Sequence, residues 1–134
     1  MGVLQLLRVA NANLETPNMN GITPAFIAAQ IGHVNVLHLL HDAKANLETP
    51  DNDGTTPAYI AAQKGHVNVL HLLHDDKANL ETPRNDGATP AFVATQNGHV
   101  CVLQLLHDVN VNLEAPVVVS FILKDSLSLP LISI

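Results

Sequence analysis

Residues 54–67 read Gly54-Thr55-Thr56-Pro57-Ala58-Tyr59-Ile60-Ala61-Ala62-Gln63-Lys64-Gly65-His66-Val67. Local chemistry marks both ends of a short helix here. The Thr56 hydroxyl can accept from an orphan amide of the first turn, and Pro57 gives up an amide that has no partner there. Gly65 can close the helix in a left-handed cap. Small side chains at Ala58, Ala61 and Ala62 let a neighbour approach closely. Upstream, Thr49-Pro50-Asp51-Asn52-Asp53 leads into Gly54 as a turn, since Pro fixes φ while Asn, Asp and Gly tolerate left-handed backbone. Downstream, Val69, Leu70, Leu72 and Leu73 fall on one side of a second helix expected over roughly Val67 to Asp75. Leu80 then plugs the base of the next loop.

The same text recurs on both sides at a constant step. Gly21-Ile22-Thr23-Pro24-Ala25 and Gly87-Ala88-Thr89-Pro90-Ala91 flank the stretch above, as do Gly32-His33-Val34 and Gly98-His99-Val100. Asn13-Leu14-Glu15 returns at 46, 79 and 112. A fixed period of this size means a small unit stacked on its own copies, and such units bury their apolar faces only against neighbours. The chain divides into a half-repeat over 1–15, where Val3-Leu4-Gln5-Leu6-Leu7 aligns with the second helix, then units at 16–48, 49–81 and 82–114, and an apolar tail over 115–134.

Gly-x-Thr-Pro, an Ala-Ala pair, Gly-His and a Leu-Leu helix within one such unit resemble the ankyrin repeat, in motif and in period. The resemblance implies an all-α helix-turn-helix solenoid with short β-hairpin-like loops. It implies a protein–protein interaction module without catalytic activity, gripping a partner through loop tips and the inner, first-helix face. It also implies that His33, His66 and His99 brace the turns between helices. Three departures stand out. Ala25-Phe26, Ala58-Tyr59 and Ala91-Phe92 replace the family's usual Leu-His, so an aromatic ring stands where an imidazole joins neighbouring turns. Lys44, Lys77 and Asn110 occupy the position where the family places a positive-φ Gly, at about 1 kcal/mol for each Lys. His41, His74 and His107 replace a Leu. A less stable array than a consensus one is expected.

Composition bounds the rest. With 47% hydrophobic and 13% charged residues the 134-residue chain is no disordered charged tail. Aromatics are scarce and Trp is absent, so Leu, Val, Ile and Ala must build the core. A net charge of −6 without any Lys/Arg run gives no electrostatic support to nucleic-acid binding. The single Cys101 excludes an intramolecular disulfide framework and fits a reducing, cytoplasmic setting. Met1 to Arg8 lacks the basic start of a signal peptide, and Leu6 stands where a myristoylation site needs Ser or Thr. Val117 to Leu123 is too short an apolar run to span a bilayer.

The units at 16–48 and 49–81 differ at only seven positions: 18/51, 19/52, 20/53, 22/55, 26/59, 31/64 and 43/76. Four of these precede the first helix and none falls within the second. Drift at positions that packing leaves free and tuning toward a partner both explain the pattern, and both put these positions at the surface. The candidate grip comprises the loop residues Met19, Asn20, Ile22, Asn52, Asp53, Thr55, Asn85, Asp86 and Ala88. To these it adds Gln30, Ile31, Gln63, Lys64, Gln96 and Asn97 at inner-helix ends. This surface runs from apolar in the first unit to polar and acidic in the next two, so it calls for an apolar spot flanked by basic or amide groups. The alternative is a structural spacer within a larger ankyrin-rich receptor, channel or bacterial effector.

Other chemistry finds little footing. His38 with His41 and His71 with His74 share a helix face, but pairs set about a helix diameter apart, roughly 8–10 Å, do not converge on one metal ion. Gln104 breaks the series. Glu15, Glu48, Glu81 and Glu114 form a row rather than facing each other across a cleft. Cys101 opens a second helix, where a thiol pKa can fall, yet no partner for redox work accompanies it. No phosphate loop, catalytic triad or cofactor motif occurs. The tail, with Val119, Ile122, Leu123 and Leu127 at helical spacing, has three open fates: a cap on the last unit, an aggregation-prone end, or a self-association surface.

Overall fold

The computed structural model describes residues 14–113. Among these, six helices form and no strand. They come in three pairs: α1 (Pro24–Ile31) with α2 (Val34–Asp42), α3 (Pro57–Lys64) with α4 (Val67–Asp75), and α5 (Pro90–Gln96) with α6 (Val100–Asp108). The half-repeat helix and the apolar tail lie outside the described residues.

Each pair starts and stops as its residues dictate. Thr23, Thr56 and Thr89 accept at Oγ1 from the amides of Phe26, Tyr59 and Phe92 at 3.2, 3.1 and 3.1 Å. Gly32 and Gly65 cap α1 and α3 in the left-handed region, at φ 92° and 78°. Lys44, Lys77 and Asn110 follow the second helices at φ 66°, 63° and 67°, so the sequence expectation of strained lysines holds. Those turns are locked by a backbone bond that reaches back into the helix. The amides of Ala45, Ala78 and Val111 donate to the carbonyls of Leu40, Leu73 and Leu106, each at 2.9 Å.

The helix pairs stack in register, first helix on first helix and second on second. Alanines make the close approach possible on the inner side: Ala28, Ala29, Ala61, Ala62 and Ala94 are all buried. Thr95 breaks that row without leaving an orphan, because its hydroxyl donates to the Ala91 carbonyl at 2.8 Å. Leu37, Leu40, Leu70, Leu73 and Leu106 fill the space between the helices. Leu47, Leu80 and Leu113 are buried at the loop bases. Burying a side chain of this size contributes roughly 1.5–3 kcal/mol, so the second-helix leucines dominate cohesion. The loops close as hairpins through backbone bonds from Asn18, Asp51 and Arg84 to the carbonyls of Ile22, Thr55 and Ala88.

Candidate protein-interaction surface

Three kinds of hydrogen bond cross each joint of the stack, and they decide which residues stay free to meet a partner. At the loop tips, the amides of Asn52 and Asn85 donate to the carbonyls of Asn20 and Asp53, both at 3.0 Å. The side-chain amides of the same two asparagines donate to the carbonyls of Met19 and Asn52, at 3.0 and 3.3 Å. At the turns between helices, His66 Nε2 lies 3.0 Å from the Gln30 carbonyl and His99 Nε2 lies 2.9 Å from that of Gln63. A carbonyl only accepts, so each imidazole carries its proton on Nε2, as the bracing role of these histidines requires. At the outer edge, Glu15, Glu48 and Glu81 accept at Oε1 from the amides of Asn46, Asn79 and Asn112 at 2.9, 2.8 and 3.2 Å. These three glutamates are therefore rivets between units. Their recurrence was visible in the sequence, but the partner amide belongs to the following unit.

These joints sort the fifteen candidate residues. Met19 and Ile31 are 94% and 53% exposed, an unusual degree for such side chains. Asn20, Asp53, Lys64, Asp86 and Gln96 are exposed; Ile22, Gln30, Gln63 and Ala88 are half-buried. Asn52 and Asn85 are exposed but already committed to the joints. Asn97 donates its side-chain amide to the Gln63 carbonyl at 3.0 Å. Thr55 is 6% exposed, and Phe26 and Tyr59 are 3% and 4% exposed, which corrects the expectation that all seven variable positions lie at the surface.

One residue was missed. Arg84 takes the place of Asn18 and Asp51, whose carboxamide or carboxylate accepts from two amides of its own turn. An arginine cannot accept, and Asp86 Oδ1 takes over one such bond, from the Ala88 amide at 3.0 Å. The freed guanidinium lies 5.6 Å from the Tyr59 ring centroid, 3.8 Å from Asp53 Oδ2 and 4.0 Å from Asp86 Oδ2. Its pKa is held above the usual value, first by the Tyr59 side chain and then, against some desolvation, by Asp86 and Asp53. Arg84 thus offsets the acidity expected of the second and third loop tips. A comparison of the first two units alone could not show it; the signal was an Arg at a position where turn chemistry asks for Asn or Asp.

Elsewhere, His41 Nδ1 lies 2.8 Å from Asp76 Oδ2 across the first joint. The corresponding residues at the second joint are His74 and Val109. No group of three or more His, Cys, Asp or Glu side chains gathers among the described residues. Cys101 is free and exposed. No described helix is long and apolar enough to cross a membrane.

The family model for ankyrin repeats (3 copies) matches residues 2–84 and 51–115, most of the chain. No curated protein matches it. Ankyrin repeats are generally protein–protein interaction modules and typically non-catalytic. Capped helix pairs, left-handed turns, histidine braces and the family model agree, and the chain belongs to the ankyrin-repeat family.

Proposed function

We propose that this chain binds another protein through its loop tips and inner-helix ends and performs no catalysis. The carrying observation is the concentration of exposed large apolar side chains in the first unit, with Met19 in its loop and Ile31 at the end of α1. Isolated exposed hydrophobes are ordinary, but two side chains this exposed in one unit gain from being covered. Further along, Asp53, Arg84 and Asp86 form a mixed-charge cluster with one net negative charge. The partner that fits offers an apolar anchor and, beyond it, an amide or a single basic group. A reducing, cytoplasmic compartment suits the exposed Cys101 thiol.

The test begins with a partner captured from the source cell and then purified. Ile31→Asp with Asp53→Lys is expected to weaken its binding at least tenfold without changing the helical circular dichroism. Asn35→Asp with Asn68→Asp, on exposed outer-helix positions, is the control and should leave affinity unchanged. A spacer without a binding role, or a different binding face, would leave the first pair as silent as the second.

A further inference from the structure

The two ends of the described stack carry the two halves of its internal joint. Inside the stack, a glycine leaves room for the next unit's imidazole. A Cβ on Gly32 would lie 3.0 Å from the His66 ring, and one on Gly65 would lie 2.8 Å from His99 Nδ1. In the last described unit the equivalent Gly98 and Gln96 are exposed, whereas Gly32, Gly65, Gln30 and Gln63 are partly covered. In the first unit the complementary set is open. His33 is exposed where His66 and His99 are half-buried. Ile27 is 41% exposed where Ile60 and Val93 are buried, and Val36 is half-buried where Val69 and Val102 are fully buried. Beside them lies an open cavity of about 460 Å³ whose walls include Pro17, Ile22, Pro24 and Ile27.

We propose that these faces join a second copy of the chain, stacked head to tail. His33 of one copy donates to the Gln96 carbonyl of the other, in the slot that Gly98 keeps clear, and Ile27 packs against the other copy's α5. The occupant is a second copy because each face carries one half of a joint that this chain already makes twice: His33 and Ile27 correspond to His66 and Ile60, and Gln96 and Gly98 to Gln63 and Gly65. Met19 is one departure: it stands where Asn52 and Asn85 send an amide to the preceding loop, so the joint between copies lacks that hydrogen bond. Such an interface is heterologous, so nothing in it limits growth at two copies.

Sedimentation velocity over a concentration series tests this on the full chain. The wild type should gain mass steadily with concentration. Ile27→Glu blocks the head face and Gly98→Lys blocks the tail face; each alone should be monomeric. Gly98→Lys is compatible with the fold, because Lys44 and Lys77 already sit at φ 66° and 63° and Gly98 at 72°. His33→Asp is a second head-face variant, at a helix N-cap that favours Asp. Each blocked variant keeps one sound face, so a one-to-one mixture of Ile27→Glu with Gly98→Lys should form a dimer and nothing larger. A wild type that stays monomeric, as it would if residues 1–13 or 114–134 covered these faces, overturns the proposal. So do single variants that still associate, or a mixture that stays monomeric.

Discussion

The first and second units share all but seven of their residues, yet the same side chain lives in two environments. Ile60 is 6% exposed and Ile27 is 41% exposed; Val69 is fully buried and Val36 is not. Their sequences prescribe the same helices, caps and turns, so the difference comes from what precedes each unit. In a linear stack, burial belongs to the joint between neighbours, not to the unit itself. A residue's contribution to stability is thus set partly by position along the array, and matched substitutions in different units can measure it.

The largest contrast is expected at that isoleucine. Ile60→Ala should cost about 2–4 kcal/mol in urea unfolding, because it opens a cavity between α3 and the unit before it. Ile27→Ala should cost less than about 1 kcal/mol, since its side chain is already partly in water. Equal losses would mean that the first unit's face is as well covered as the second's.

A smaller contrast is expected at the glycines between helices. Gly65→Ala adds left-handed strain and drives a Cβ toward the His99 ring at 2.8 Å. Gly98→Ala adds the strain alone, on the order of 1 kcal/mol. Melting temperature should fall further for the first. Smaller again, Lys77→Gly should stabilise by up to about 1 kcal/mol by relieving φ 63°, while Asn110→Gly gains only a few tenths because Asn tolerates that backbone. The least effect belongs to the pair across the first joint. His41→Ala should cost no more than about 1 kcal/mol, since a pair with one member exposed to water contributes little, and His74→Ala, with Val109 in place of Asp76, should cost less still.

What could be read from the sequence was whatever a few adjacent residues decide. Thr-Pro starts, Gly turns and the left-handed lysines depend on local φ and capping, and the structure places them as expected. The histidine braces followed from family resemblance. The glutamate rivets and the double use of Asn52 and Asn85 were hidden, because each depends on a neighbouring unit a full period away. Arg84 was hidden for another reason. Its neighbours Tyr59, Asp53 and Asp86 are ordinary in their own units, and only stacking brings them to one guanidinium.

Native-state hydrogen exchange tests most directly the claim that neighbours, rather than the repeat sequence, set stability along the array. The account predicts the slowest exchange in α3 and α4, which are covered on both sides, and faster exchange in α1 despite its near-identity to α3. Equal protection in α1 and α3, or a maximum in α1, would contradict it.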